Sequence, residues 1–318
     1  MRLSHFERFQ PVCLHCRAPL AIEGGGAWVD GHLVTGALSC ACGQRYPVID
    51  GLPLLVRDLH SLVRDQLVGV FGRDDLDDDL VDGLIRAGGA DGALEVQRQQ
   101  VGMYGWGHYG DLDPEERAWN PLASPARILD AGLVLVPDAR GPVVDLGCGP
   151  GRTTFRAAEH LGDLALGLDL NLAFMRLAAR VLRSAEVRYS RRTSGMRYTP
   201  RRFGVTLPAA GLVDFWVADV TDLPLADGIA GLGCSINVLD CVGAPERHLA
   251  ELERIATHGH VLTASPYDWS TAATPEGAWG EGSLPAGNHT ETEWVVRIHD
   301  RAEMRYRTEL RSWNATVV

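Results

Sequence analysis

A run of glycines and three carboxylates stand at spacings suited to holding a nucleoside. Asp145-Leu-Gly147-Cys-Gly149-Pro-Gly151 follows a short apolar stretch and opens a helical pattern. Glycines let a backbone take positive φ and pass close to a ligand. Such a turn is shared by several nucleotide folds, so charge must separate them. Here Asp145 closes the preceding strand, where a phosphate-binding loop would keep anions away. A cofactor with ammonium and sulfonium groups and no phosphate tolerates that carboxylate; S-adenosylmethionine (SAM) is one. Asp169 ends the next strand 24 residues later, where a carboxylate can accept two hydrogen bonds from a ribose diol. Asp219 follows the third strand, where an adenine amino group would be met. Leu170 and Val220 accompany these two acids in the expected cofactor site. Any one of the acids alone could instead cap a helix or a loop.

Four of the seven cysteines form a second constellation. Cys13-x-x-Cys16 and Cys40-x-Cys42 are two close pairs within the first 42 residues. Two thiolates a few residues apart can face one ion, and two such pairs complete a tetrahedron. An all-sulfur site without redox chemistry favours zinc. The second pair is tighter than the common CxxC, and His15 is an alternative ligand. The competing reading is four buried free thiols. Cys148, Cys234 and Cys241 read as buried thiols.

These groups need elements to position them. The 318 residues are 46% hydrophobic and 22% charged, which suits a soluble globular chain of about two domains. No apolar run approaches the roughly 18 residues of a membrane span, and Met1 to Gln10 lacks the apolar stretch of a signal peptide, so a cytoplasmic location is expected. The net charge is −11, and every basic residue is Arg. Most of the imbalance lies in 58–117, with five Arg against fourteen acids. The total does not favour nonspecific nucleic-acid binding. Residues 1–57 read as a small strand-rich unit, with turns at Gly24-Gly25-Gly26 and Asp30-Gly31. Residues 58–120 read as an acidic helical connector and lid. Asp74, Asp75, Asp77, Asp78, Asp79 and Asp82 lie among Leu76, Leu80 and Leu84 at helical spacing, and the patch Tyr104, Trp106, His108 and Tyr109 comes next. Pro121 and Pro125 introduce a further helix. From 121 to 318 strands are expected at 143–146, 164–168, 213–217, 231–236 and 260–264, with helices at 153–161, 172–182 and 246–257. Alternation of this kind implies an α/β fold with a mostly parallel sheet. An antiparallel hairpin is expected from 293–298 and 307–317.

The DLGCGPG loop with its three strand-end acids resembles the class I SAM-dependent methyltransferases over roughly 120–318. The resemblance implies a Rossmann-like fold with a seven-stranded, mostly parallel sheet. It also implies that Asn237 and Asp240, after the fourth strand, face cofactor and acceptor together: Asn237 toward the methionine part or the acceptor, Asp240 toward a proton-bearing acceptor. Either could simply cap the following segment. The N-terminal segment, with Cys13-Leu-His-Cys16, Leu38-Ser-Cys40-Ala-Cys42-Gly and Arg45-Tyr-Pro-Val-Ile-Asp-Gly-Leu-Pro-Leu-Leu55, resembles the zinc-ribbon domain of the small activator protein of tRNA methyltransferases, where it is structural or docks a partner. Further stretches, Ile236-Asn-Val-Leu-Asp240-Cys, Leu262-Thr-Ala-Ser-Pro-Tyr-Asp-Trp269 and Trp294-Val-Val-Arg-Ile298, are similar to the methyltransferase half of the ovothiol synthases, which methylate an imidazole nitrogen of 5-mercaptohistidine. This chain departs from them in its N-terminal cysteine unit, in its generic GCGPG loop and in Cys241, where Arg is usual.

Methyl transfer needs an acceptor in line at about 3 Å, and positioning supplies much of the rate. A neutral imidazole is already nucleophilic at pH 7, so no strong base is required. Tyr267 and Trp269 with the 104–109 patch are the expected wall. Asn237, Asp240 and Tyr267 are the catalytic candidates, and Arg297 or Arg301 could pair with an acceptor carboxylate. The leading expectation is therefore a small-molecule acceptor. The alternative is RNA: 180–202 holds eight Arg and one Glu, with Tyr189, Tyr198 and Phe203 among or beside them, a pattern able to bind single strands. A ribbon before a SAM domain also resembles the ribosomal-RNA guanine methyltransferases. Against RNA, the Arg run could neutralise the 74–82 acids internally. A third reading is a non-catalytic SAM-binding partner protein.

Overall fold

A computed structural model describes residues 1–66, 78–116, 124–280 and 284–315. Asp74, Asp75, Leu76, Asp77 and Pro121 lie outside the described residues. The core is a parallel sheet built from β6 (Val143–Leu146), β7 (Ala165–Asp169), β10 (Val213–Ala218), β11 (Leu232–Ile236) and β12 (His260–Ser265), in the order β10-β7-β6-β11-β12. All five are apolar runs buried almost throughout, as strands covered on both faces must be. The hairpin β13 (Asn288–His299) and β14 (Ala302–Asn314) adds antiparallel to β12. These seven strands make the Rossmann-like sheet that the sequence implies.

The N-terminal segment extends that sheet. After α1 (Leu3–Phe9), a meander of β1 (Ala21–Ile22), β2 (Ala27–Val29), β3 (His32–Ser39) and β4 (Arg45–Ile49) leads into β5 (Leu52–Leu55). β5 pairs antiparallel with β4 on one side and parallel with β10 on the other, setting Leu54 beside Val217 and Leu55 beside Ala218. One sheet of 12 strands results. Leu14, Leu38 and Tyr46 share an apolar cluster with Val144, Leu166 and Trp216, so the meander and the parallel sheet bury one continuous core.

Helices α2 (Leu59–Asp65), α3 (Asp78–Gly88) and α4 (Ala93–Tyr109) form the connector, and α5 (Pro125–Leu133), α6 (Arg152–Leu161), α7 (Leu172–Ser184) and α8 (Pro245–Ile255) accompany the sheet. Leu80 and Leu84 are exposed on α3 and Ile85 is the buried residue, so the apolar face is rotated from the stripe expected. Between α7 and β10 the Arg-rich stretch is a hairpin, β8 (Glu186–Ser194) and β9 (Arg197–Gly204), forming its own two-stranded sheet against α4. Contact is possible because α4 carries Gly102, where a Cβ would stand 2.2 Å from the Ser190 carbonyl oxygen. Among the described residues no helix is long and apolar enough to cross a membrane.

Candidate active site

A cavity of about 800 Å³ opens at the carboxyl ends of the parallel strands, where ligands of open α/β sheets bind. Gly147, Gly149, Asp169, Leu170, Asp219, Val220, Asn237 and Asp240 all line it. Of the expected strand-end residues, all of these share the cavity, and Asp145 does not. The wall is formed because β6, β7, β10 and β11 run parallel, bringing the turns after them together.

The glycine loop is shaped from behind. At Gly147 φ is +71°, and a Cβ would stand 2.3 Å from the Val238 side chain, so glycine is required twice over. Asp145 does not line the cavity. It is buried beneath the loop, where Oδ2 accepts from the hydroxyls of Thr153 and Thr154 at 2.6 and 2.7 Å. Its expected contact with cofactor is corrected to one of support: it ties the loop to the first turn of α6, and burial raises its pKa. Gly151 is likewise behind the wall, against Phe215, and contributes close packing of helix on sheet.

Asp169 accepts from the Gly149 and Asn171 backbone N–H groups at 2.8 and 2.7 Å. Burial nevertheless pushes its carboxyl up to about 6. Asp219 holds Thr221 through one oxygen, taking its N–H at 2.8 Å and its hydroxyl at 2.7 Å. Asn237 has φ of +58°, uncommon for a residue with a side chain. Both of its amide side-chain atoms are buried with no partner among the described residues. A buried polar atom left so is costly unless a ligand satisfies it. Asp240 is 3% exposed; its Oδ2 accepts from the Asp268 N–H at 2.7 Å, and burial raises its pKa.

Tyr267 is not brought to the cavity. Its hydroxyl donates to Glu309 on β14 at 3.0 Å, and its ring lies by Trp269, 6.4 Å between centroids. Trp269 does not line it either; their neighbours Pro266 and Asp268 do. Of the aromatic patch, Tyr104 and His108 line the cavity, whereas Trp106 and Tyr109 are core residues. His108 Nδ1 accepts from the Arg152 N–H at 3.3 Å, and burial with that nearby guanidinium lowers its pKa to about 3. The ring is therefore neutral. The Tyr109 hydroxyl donates to the Pro150 carbonyl at 2.7 Å, fastening α4 to the glycine loop.

Sequence reasoning missed Gln66, Phe174, Met304 and Tyr306, which also line the cavity. Gln66 bridges to the turn after β7, donating to the Leu170 carbonyl at 3.0 Å and accepting from the Leu172 N–H at 2.9 Å. Phe174 packs 4.6 Å from Tyr104, and Tyr306 stacks on Trp294 at 5.5 Å. None of these sits in a local motif, and Tyr306 lies one residue outside the strand expected from alternation at 307–317. Arg297 is not available to an acceptor carboxylate, being 7% exposed and bridged to Glu116 at 2.8 Å and Asp300 at 2.7 Å. Arg301 lies in the turn of that hairpin and does not line the cavity.

The Arg-rich hairpin does pair within the chain, but with a different segment from the one expected. Arg201 bridges Asp113 and Glu115, and Arg191 bridges Glu116. Arg202 pairs with Glu186 at 2.7 Å, and Arg192 donates to Gln99 at 3.1 Å. Asp82 instead meets Arg98 at 2.5 Å.

The four N-terminal cysteines converge as their spacing implies. Sγ of Cys13 and Cys42 are 3.6 Å apart, those of Cys16 and Cys40 are 3.4 Å apart, and all four lie within 4.8 Å of one another. A tetrahedron of sulfurs about 2.3 Å from zinc has edges near 3.8 Å, whereas a disulfide needs about 2.05 Å. His15 is not in the cluster. The turn beside it grips the strand-end wall: the Val12 N–H donates to Pro224 O at 2.9 Å, and Arg17 donates to Leu223 O and Leu225 O at 2.8 and 2.7 Å.

Residues 144–263 match the family model described as a methyltransferase domain. No curated protein matches the chain. Solved structures similar to it include geranyl diphosphate C-methyltransferase from Streptomyces coelicolor A3(2), 19% identical over 44% of this chain and 42% of that one, with a TM-score of 0.33. Phosphoethanolamine N-methyltransferase 2 of Haemonchus contortus is 15% identical over 53% and 34%, with a TM-score of 0.36. The chain spans about half the length of the first solved structures it matches, 54% and 48%. Strand-end acids around a glycine loop, on a sheet of this order and within a stretch that matches a methyltransferase domain, give the chain a Rossmann-like methyltransferase fold.

Proposed function

We propose that the enzyme methylates a small-molecule nitrogen base, with an imidazole nitrogen of a thiohistidine-like metabolite as the leading acceptor, and that its four cysteines hold a structural zinc. The observation that carries the reading is Asn237. Its unpartnered amide stands where the cofactor wall of glycine loop, Asp169 and Asp219 meets an aromatic wall of Tyr104, Phe174, Trp294 and Tyr306. Such a cavity surrounds a compact acceptor. Four of the eight Arg side chains that would have offered RNA a platform, Arg188, Arg191, Arg201 and Arg202, are engaged with Asp113, Glu115, Glu116 and Glu186.

SAM, when bound, supplies an electrophilic methyl on a sulfonium. In this reading Asp169 accepts from the ribose hydroxyls and Asp219 meets the adenine edge. Asn237 offers a donor and an acceptor to the methionine end. The apolar wall excludes water, which favours a transition state in which charge disperses. Asp240 holds the acceptor's N–H and orients its lone pair. At the cysteine cluster, zinc would supply a closed, four-thiolate structural link.

Transfer from methyl-labelled SAM to 5-mercaptohistidine, histidine and bulk RNA in parallel tests the reading. Label on the mercaptohistidine is expected. Label on RNA alone would overturn it and return the Arg hairpin to the role of substrate platform.

A further inference from the structure

The acceptor half of the cavity has a sign. Asp240 lies buried in it and Asp268 stands exposed at its mouth, the Asp268 N–H held by Asp240 at 2.7 Å. The Tyr306 hydroxyl donates to Met304 Sδ at 3.4 Å, and burial with the nearby Asp268 carboxylate raises its pKa. Trp294 stacks on Tyr306, with rings 5.5 Å apart and inclined by 26°, and both line the cavity. Trp294 is 9% exposed, and its indole N–H has no partner among the described residues. Against these groups the lining holds no Arg among the described residues, in a chain whose 30 basic residues are all Arg. The one basic side chain in the lining is the His108 ring, kept neutral by burial and by Arg152.

Resting on the methyltransferase reading above, we propose that the acceptor enters this half as a cationic or N–H-donating nitrogen base, between the Trp294–Tyr306 face and the Asp240 and Asp268 carboxylates, and keeps any carboxylate or phosphate it carries outside the cavity. An aromatic face attracts a cation, and a carboxylate in a dry site strengthens that attraction. An anionic group would meet two carboxylates with no guanidinium to offset them. The unpaired Trp294 N–H asks in addition for one lone pair on the acceptor's frame. The chemistry is consistent with this charge. As the C–N bond forms, the C–S bond breaks and its electrons return to sulfur. The attacking nitrogen spends a lone pair and takes over the positive charge of the sulfonium; the acceptor's N–H proton then passes to the Asp240 carboxylate, which leaves a neutral methylated base and a neutral carboxyl. Burial raises the Asp240 pKa, which makes its carboxylate the better proton acceptor.

The test uses one ring with different charges. Histamine, histidine methyl ester, histidine and imidazole-4-acetate are titrated calorimetrically into the S-adenosylhomocysteine complex of the full chain. Histamine and the ester are expected to bind at least tenfold more tightly than imidazole-4-acetate, with histidine between them. Asp268→Asn is expected to shrink that ratio severalfold, and Asp240→Asn to shrink it further. Equal or tighter binding of the acetate, an unchanged ratio in both variants, or no binding of any probe to the loaded protein would overturn the proposal. Failure of S-adenosylhomocysteine itself to bind would overturn the cofactor assignment instead, so the two failures are distinguishable.

Discussion

The two halves of the cavity are assembled in different ways. The half proposed for the cofactor comes from short turns that each follow a strand: the glycine loop, Asp169 with Leu170, Asp219 with Val220, and Asn237. The sheet alone brings them together. The acceptor half is collected from α4, α7 and the C-terminal hairpin, through Tyr104, Phe174, Trp294 and Tyr306. Its shape depends on side chains meeting across large separations, so the general chemistry is local in the chain and the selectivity is not.

That contrast can be broken or sharpened by experiment. The largest effect is expected from Arg201→Ala. Arg201 and Asp113 are 8% and 0% exposed, and stripping one partner from a buried pair costs about 3–5 kcal/mol. Denaturant unfolding should show that loss, and acceptor binding should suffer more than SAM binding, because the pair braces α4. Asp169→Ala should weaken SAM by about 1–3 kcal/mol, the loss of a charged hydrogen-bond acceptor. Calorimetry showing unchanged affinity would remove Asp169 from the cofactor site.

A pH titration should give the next effect. Asp169 titrates at about 6 in the folded chain, and its ionised form is the better ribose acceptor. SAM affinity should be level above neutrality and fall by up to tenfold for each unit below about pH 6, a dependence absent in Asp169→Asn. The sign for stability is opposite. A carboxyl whose pKa is raised by folding binds its proton more tightly in the folded state. The unliganded chain should therefore gain stability from this group as pH falls through 6. The smallest effect is expected from Cys13→Ser. Metal content should drop, and SAM affinity should fall only severalfold, through the 223–225 turn that Val12 and Arg17 hold. Full SAM affinity in metal-free protein would show that the cysteine unit does not support the site.

The cavity wall at the strand ends was largely legible, because strand-end acids and glycines report backbone geometry directly. The parallel strands fell within one or two residues of their expected bounds, since buried runs of Val, Leu and Ala admit few other readings. Asp145 was placed correctly but given the wrong contact: an acid beside a glycine loop looks the same in sequence whether it faces the ligand or the helix behind. Tyr267 was misread for a similar reason, because the backbone on either side lines the cavity while its ring turns toward Glu309. The 186–204 hairpin was seen as charge and not as structure. Its Arg residues select Asp113, Glu115 and Glu116 because the hairpin lies along α4 and the loop that follows it. The unit over 1–57 read as self-contained, and nothing in its composition announced that Leu54 and Leu55 would pair with β10.

That last pairing has a consequence for how the chain comes off the ribosome. Leu54 lies beside Val217, 163 residues later, and at about 5–20 residues per second the second strand follows the first by roughly 10–30 s. Throughout that interval β5 presents a bare edge, the kind that templates pairing with other chains. The four cysteines and the antiparallel β1-β3-β4 meander are all synthesised before it. A metal at that cluster, as proposed above, would hold the edge in register until its partner arrives, so the cysteine unit would protect the nascent protein as well as brace the finished one.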